Sequence, residues 1–198
     1  GRGMARLARR EDVEWRDFLT GADTFHAATC RPADVTNVLF SSGTTKDPKA
    51  ILWTQTTPIK AAADAYLHHD VQPYDVLAWP TSFGWMMGPW LTYGSLVNRA
   101  TIALYVGAAQ RRAYGEFVSE AGVTMLGVVP KLVRGWKAER TMEGINWDRI
   151  RRFSSTGETS SPEEMLYLMA LAGYKPVIEY CGGTEIGGGY VTGTMVQP

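Results

Sequence analysis

From residue 35 onward, short apolar runs of strand length alternate with longer segments whose apolar residues recur at helical spacing. That alternation predicts an α/β fold of mixed sheets flanked by helices. The runs 35–40 and 50–53 predict strands, and the Ala-rich segment 58–69 predicts a helix ending before Pro73. Further strands are predicted at 75–79, 100–106, 123–129, 151–155 and 176–179, with helices at 86–97, 114–121 and 130–140. The most strongly punctuated helix is 162–172. Ser161 stands at its N-cap, Pro162 at its first position, Glu164 where a capping box needs an acid, and Gly173 just past its end. Met165, Leu166, Leu168, Met169 and Ala172 form its apolar face, a stripe expected to pack in the core. The pattern leaves 1–34 as an N-terminal region without assigned structure and 35–198 as part of one domain.

Composition narrows the partners. Twenty acidic and twenty basic residues leave the 198-residue chain without formal net charge, which argues against a nucleic-acid footprint or a polybasic membrane patch. No apolar run approaches the roughly 18 residues of a membrane span, so a soluble protein that binds small molecules is expected. Arg2, Arg6, Arg9 and Arg10 are read as an exposed helix face, because no apolar stretch with a cleavage-like site follows them. Cys30 and Cys181 are far apart and outside any metal-ligand spacing, which makes a reducing compartment the expectation. His26, His68 and His69 lack the Cys or acidic neighbours of a zinc site and are read as surface or helix-end residues.

Residues 40–49 read Phe-Ser-Ser-Gly-Thr-Thr-Lys-Asp-Pro-Lys, between two predicted strands. Small hydroxyl residues around a glycine let backbone N–H and side-chain O–H groups close on phosphate oxygens, and Lys49 adds a cation at the rim. A nucleoside triphosphatase loop would end in Gly-Lys-Ser/Thr, whereas Pro48-Lys49-Ala50 stands here, so that reading fails. Alone, the segment leaves a Ser/Thr turn as the alternative.

Three more segments, in order along the chain, give the loop its context. Taken with Gly84-Trp85-Met86-Met87-Gly88, Gly157-Glu158 and Tyr180-Cys181-Gly182-Gly183-Thr184-Glu185, it resembles the phosphate loop of the adenylate-forming (AMP-binding) superfamily. The three resemble, respectively, the Gly-Trp-x-x-Gly segment of acetyl-CoA synthetases, the family's Gly-Glu turn and its Tyr-Gly-x-Thr-Glu motif. The likeness spans about residues 35–195 and is nearest to the acetyl-CoA synthetase-like and plant-type acyl-activating branch.

The resemblance implies part of the large N-terminal domain of such an enzyme. It implies that a carboxylic acid attacks the α-phosphate of ATP to give acyl-adenylate and pyrophosphate, and that coenzyme A then takes the acyl group. By the same resemblance, Ser41, Ser42, Gly43, Thr44, Thr45 and Lys49 would cradle the β/γ-phosphates. Thr184 would meet the α-phosphate, Glu185 would hold Mg²⁺, and Gly157, Glu158, Tyr180, Cys181 and Gly182 would face the adenosine. Trp85, Met86, Met87 and Gly88 would wall the acyl pocket. Gly182, where acetyl-specific relatives carry tryptophan, would leave that pocket open to longer acids.

Two residues depart from the pattern: Lys46 stands where glycine is usual, and Cys181 where an aromatic often meets the adenine, with Tyr180 beside it as a substitute. The family's ribose aspartate, hinge and lysine-bearing C-terminal domain follow the Thr-Glu motif, so a chain ending at Pro198 is expected to be an internal portion that does not turn over alone. The expected location is intracellular, cytoplasmic or peroxisomal. A non-catalytic nucleotide-binding module is the alternative.

Overall fold

A computed structural model describes residues 9–19, 21, 24–41 and 47–197. Two compact units divide the chain, residues 1–30 and 31–198. Among the described residues of the first is one short helix, α1 (Trp15–Phe18), which buries no residue and stacks Trp15 on Phe18 at 5.7 Å between ring centroids. Arg9 and Arg10 precede that helix instead of forming a face of it, and Arg9 pairs with Asp12. Arg2 and Arg6 lie outside the described residues.

The second unit runs β1 (Val35–Ser41), β2 (Lys49–Thr54), α2 (Thr57–Leu67), β3 (Val76–Ala78), α3 (Met87–Val97), β4 (Thr101–Ile102), α4 (Arg112–Glu120), β5 (Met125–Val128), α5 (Pro130–Glu139), β6 (Arg152–Ser155), α6 (Pro162–Leu171), β7 (Val177–Gly183) and β8 (Gly188–Thr192). Strands β1 and β2 form an antiparallel pair in which Ser41 is opposite Lys49. The other six form one sheet in the order β4-β3-β5-β6-β7-β8. The first five of these are parallel and β8 runs antiparallel to β7.

Each parallel step is made through a helix, as parallel pairing demands. Two apolar clusters cover the two faces of the sheet. One joins Tyr114 and Val118 of α4, Leu132, Val133 and Trp136 of α5, and Met165 and Leu168 of α6 to Leu126, Val128 and Phe153. The other joins Ala61 and Ala65 of α2 and Trp90 and Leu91 of α3 to Leu77, Met125 and Tyr180. Helices α3 and α5 therefore leave the neighbouring strands β3 and β5 toward opposite faces. In open α/β sheets such a divergence opens a crevice at the strand C-termini.

Several expectations change in detail. The predicted strand 100–106 shrinks to Thr101–Ile102, and Leu104 and Val106 are exposed. Strand β7 begins as predicted but runs on through Gly183. Strand β8 had no apolar alternation to announce it, since it opens on Gly188 and Gly189 directly after Gly187. In α6, Ser161 makes no side-chain cap; Glu164 instead accepts a hydrogen bond from Arg134 Nε at 2.6 Å, and Leu166 is exposed. The helix stops with Gly173 at φ +62°, a left-handed conformation that glycine adopts freely.

His69 is the larger correction. It follows α2 yet is fully buried, with Nε2 2.8 Å from Ser154 Oγ and Nδ1 3.4 Å from the Asp64 carbonyl. The ring thus links the end of α2 to β6, and Ser154 Oγ in turn donates to the Ile178 carbonyl at 3.2 Å. Burial holds its pKa down to about 3.

Candidate active site

The chain leaves each of the five parallel strands into a single cleft of about 1610 Å³. Residues 79–82 follow β3, Ala103–Tyr105 follow β4, Val129 follows β5, 156–160 follow β6, and Cys181, Gly182 and Thr184 close the end of β7. That volume exceeds the roughly 300–1,000 Å³ of an ordinary small-molecule pocket.

Segments about a hundred residues apart in sequence meet here. Trp85, Met86 and Met87 form one wall, Gly157 and Glu158 sit on another, and Cys181, Gly182 and Thr184 line a third. Met87 is buried against the α2–α3 cluster and Met86 packs beside it, whereas Trp85 is 73% exposed and stands free of the helix. Gly157 has φ +94°, which explains the glycine at the head of the Gly157-Glu158 turn.

Not every proposed residue lines the cleft. Ser41, Lys49, Gly88 and Glu185 lie outside its lining. Ser41 and Lys49 face each other across the open end of the β1–β2 hairpin. Ser42, Gly43, Thr44, Thr45 and Lys46 lie outside the described residues. Gly88 serves packing, because a Cβ there would come 2.5 Å from the carbonyl oxygen of Ser82.

Tyr180 and Gly182 need correction. The Tyr180 ring is 1% exposed and packs among His69 and Trp90, while its hydroxyl donates to Asp64 Oδ2 at 2.7 Å. Tyr180 borders the cleft, but its ring is held in the core and its hydroxyl is taken by Asp64. Burial, with the hydrogen bond to Asp64, raises its pKa. A Cβ on Gly182 would lie 2.3 Å from the carbonyl oxygen of Gly188. The glycine lets β8 approach at the bulge between Cys181 and Gly182, so its missing side chain does not hold an acyl pocket open.

The Thr184-Glu185 turn is fixed from behind. Trp53 Nε1 donates to the Thr184 carbonyl at 2.7 Å. Asp64 accepts from Lys60, from Tyr180 and from the Gly189 backbone N–H, which binds α2 to the strands on either side of the turn. Burial pushes the Asp64 pKa up, but these donors outweigh it and hold the carboxylate below its ordinary range. Glu185 is exposed, and among the described residues no partner occupies its carboxylate. One such carboxylate suits a Mg²⁺ ion whose other ligands are phosphate oxygens and water. No cluster of three His, Cys, Asp or Glu that could hold a metal by itself occurs among the described residues.

Motif reading missed several polar groups beside the cleft. Thr156 Oγ1 donates to the Tyr180 carbonyl, Ser155 and Ser160 hydroxyls meet at 2.9 Å, and Ser160 donates to Glu179 at 2.9 Å. The hydroxyl run Ser154-Ser155-Thr156 at a strand end was their only trace in the sequence.

Comparison with known proteins agrees with this geometry. A family model described as "AMP-binding enzyme" matches residues 4–198. The chain is 52% identical to probable acyl-activating enzyme 17, peroxisomal, of Arabidopsis thaliana, over 96% of this chain and 27% of that protein. It is also 52% identical to hexanoyl-CoA synthase of Cannabis sativa, over 100% of this chain and 28% of that one. It thus spans somewhat over a quarter of the length of these relatives. Among solved structures, acetoacetyl-CoA synthetase from Streptomyces lividans superposes with TM-score 0.74 at 26% identity, over 81% of this chain and 26% of that one. The anthranilate CoA ligase AuaEII, in complex with anthranoyl-AMP, shares the fold at TM-score 0.78 and 18% identity, over 88% of this chain and 34% of that one.

Proposed function

Because the chain belongs to the AMP-binding enzyme family, we propose that it forms the acid- and nucleotide-binding face of an AMP-forming acyl-CoA synthetase. The observation that carries this reading is the meeting of the Gly-Trp-Met-Met, Gly-Glu and Thr-Glu segments around one strand-end cleft. In the proposed reaction a carboxylate oxygen attacks the α-phosphorus of ATP, the bond to the bridging oxygen breaks, and pyrophosphate leaves. The thiol of coenzyme A then attacks the acyl carbon and releases AMP.

Positioning and charge stabilisation supply most of the catalysis in chemistry of this kind. Thr184 is assigned to the α-phosphate, with its backbone held by Trp53. Glu185 is assigned to Mg²⁺, which when bound neutralises charge developing on the phosphate oxygens. Gly157, Glu158, Cys181 and Gly182 are assigned to the adenosine side, with Lys49 and the hydroxyl loop on the leaving phosphates. Met86, Met87 and Trp85 are assigned to the acid.

The name of the Cannabis relative supports an aliphatic acid longer than acetate. The peroxisomal designation of two Arabidopsis relatives, 52% and 47% identical, favours that compartment. No helix among the described residues is long and apolar enough to cross a membrane.

The test is ATP–pyrophosphate exchange by the full-length protein that contains this chain, across a panel of carboxylic acids. Exchange that depends on the acid, and falls by two orders of magnitude or more in Glu185→Ala, is the expected outcome. Mg-ATP binding without exchange for any acid would overturn it and leave a nucleotide-binding module.

A further inference from the structure

The divergence between β3 and β5 is filled by one side chain. Gly127 lies in the middle of β5, and a Cβ built on it would sit 1.9 Å from Cδ2 and 2.1 Å from Cε3 of Trp79, the residue just after β3. The indole therefore lies directly on the sheet backbone, in the space that a side chain at 127 would take. Behind it stands Trp90, fully buried, with ring centroids 5.7 Å apart and planes at 71°. Trp79 is itself only 6% exposed and packs in the cluster that holds Met87, yet it also lines the cleft beside Met86.

We propose that Trp79, seated on Gly127, is the inner stop of the acid-binding end of the cleft and sets the largest apolar carboxylic acid that the site accepts. The inference rests on the activity proposed above, and extends it to two residues outside every motif. The argument is steric. The ring reaches sheet level only because position 127 has no side chain. A methyl group there must displace the ring, and the buried Trp90 closes the way back, so the ring moves into the cleft. Shortening Trp79 does the reverse, and opens volume beneath Met86 and Met87. Two substitutions on different strands thus act on acid size with opposite sign, which a general loosening of the fold does not do.

The experiment uses the full-length protein containing this chain and measures acid-dependent ATP–pyrophosphate exchange for straight-chain acids from acetate to decanoate. Trp79→Leu, Trp79→Phe and Gly127→Ala are compared with the unmodified protein. Trp79→Leu is expected to raise the ratio of kcat/KM for the longer acids over the shorter by about tenfold or more, and Gly127→Ala to lower it by a similar factor. Trp79→Phe should fall between Trp79→Leu and the unmodified protein. Mg-ATP affinity, measured without acid, should stay unchanged. If Trp79→Leu does not fold, Gly127→Ala and Trp79→Phe still carry the prediction. Profiles that scale by one factor for all acids would overturn the assignment of Trp79 while leaving the activity standing. Absence of exchange with any acid in the unmodified protein would overturn both.

Discussion

The indole N–H of Trp53 reaches the carbonyl oxygen of Thr184 at 2.7 Å, joining residues 131 positions apart. Trp53 lies on the strand that leaves the hydroxyl-rich loop, and Thr184 begins the turn carrying Glu185. The two ends of the assigned phosphate site are thereby held by one side chain that is itself 1% exposed. Trp53→Phe retains most of the packing and leaves the carbonyl only the longer bond from the Gly187 N–H at 3.3 Å. The expected loss is about 1–2 kcal/mol in urea unfolding, with weaker Mg-ATP binding in the full-length protein. Unchanged nucleotide affinity would show that the turn keeps its place without the indole.

Two glycines should respond to alanine with opposite sign. At Gly182 the new methyl meets the Gly188 carbonyl, so Gly182→Ala is expected to cost about 1–3 kcal/mol, and tryptophan more. At Gly135, inside α5, a Cβ meets nothing within 4 Å. Gly135→Ala should therefore stabilise by about 0.5–1 kcal/mol. Equilibrium urea denaturation of both variants checks the pair.

His69 makes stability depend on pH. Its folded pKa, about 3, lies below the ordinary 6.5, so below pH 6.5 the unfolded chain takes up a proton that the native state refuses. Its contribution is complete above pH 6.5 and is lost as pH falls toward 3, at about 1.4 kcal/mol per pH unit. Asp64 and Asp75, both held below 3.8, add to the loss only at lower pH. Thermal melts of His69→Gln should show a shallower decline between pH 6.5 and 4.5 than the unmodified chain.

Asp75 is fully buried and accepts from Arg152 Nη2 at 2.6 Å, Arg151 Nη1 at 3.0 Å, Thr124 Oγ1 at 2.7 Å and the Gln72 backbone N–H at 2.8 Å. Burial pushes its pKa up, but Arg152 and the other donors prevail and lower it. Asp75→Asn leaves the buried Arg152 guanidinium uncompensated, at an expected cost of about 3–5 kcal/mol. Replacing both, as in Asp75→Asn with Arg152→Met, should recover part of that loss in the same denaturation assay.

The sequence made those features legible whose signals are local. Pro162 and Gly173 mark α6, and the apolar block at β5 stands out because a strand covered on both faces has no polar side, whereas β6, Arg-Phe-Ser-Ser, is buried without such a signal. Features made by distant partners were not legible. The apolar residues 104 and 106 read as strand but extend past the last pairing with β3. The glycines around β8 carry no alternation; α2 and β7 supply its order. His69 looks like a helix-end residue until Ser154, 85 positions away, is placed against it. The motifs announced three stretches of the cleft lining, and left unannounced those that follow β3 and β4. Gly127 and Trp79 belong to none, and only the adjacency of two strands brings them together.

The Asp64 carboxylate also bears on the order in which the chain assembles. Its donors come from α2, β7 and β8, and β8 opens on two glycines, Gly188 and Gly189, which weaken a strand before Tyr190, Val191 and Thr192 favour it. Its pairing with β7 is local, but the bond that fixes Gly189 comes from α2, 125 residues away, and forms only after helix and hairpin have docked. The turn bearing Thr184 and Glu185 therefore belongs to the late-forming part of the fold. In native-state exchange, the Gly189 amide should open together with that turn, ahead of the amides in β5 and β6.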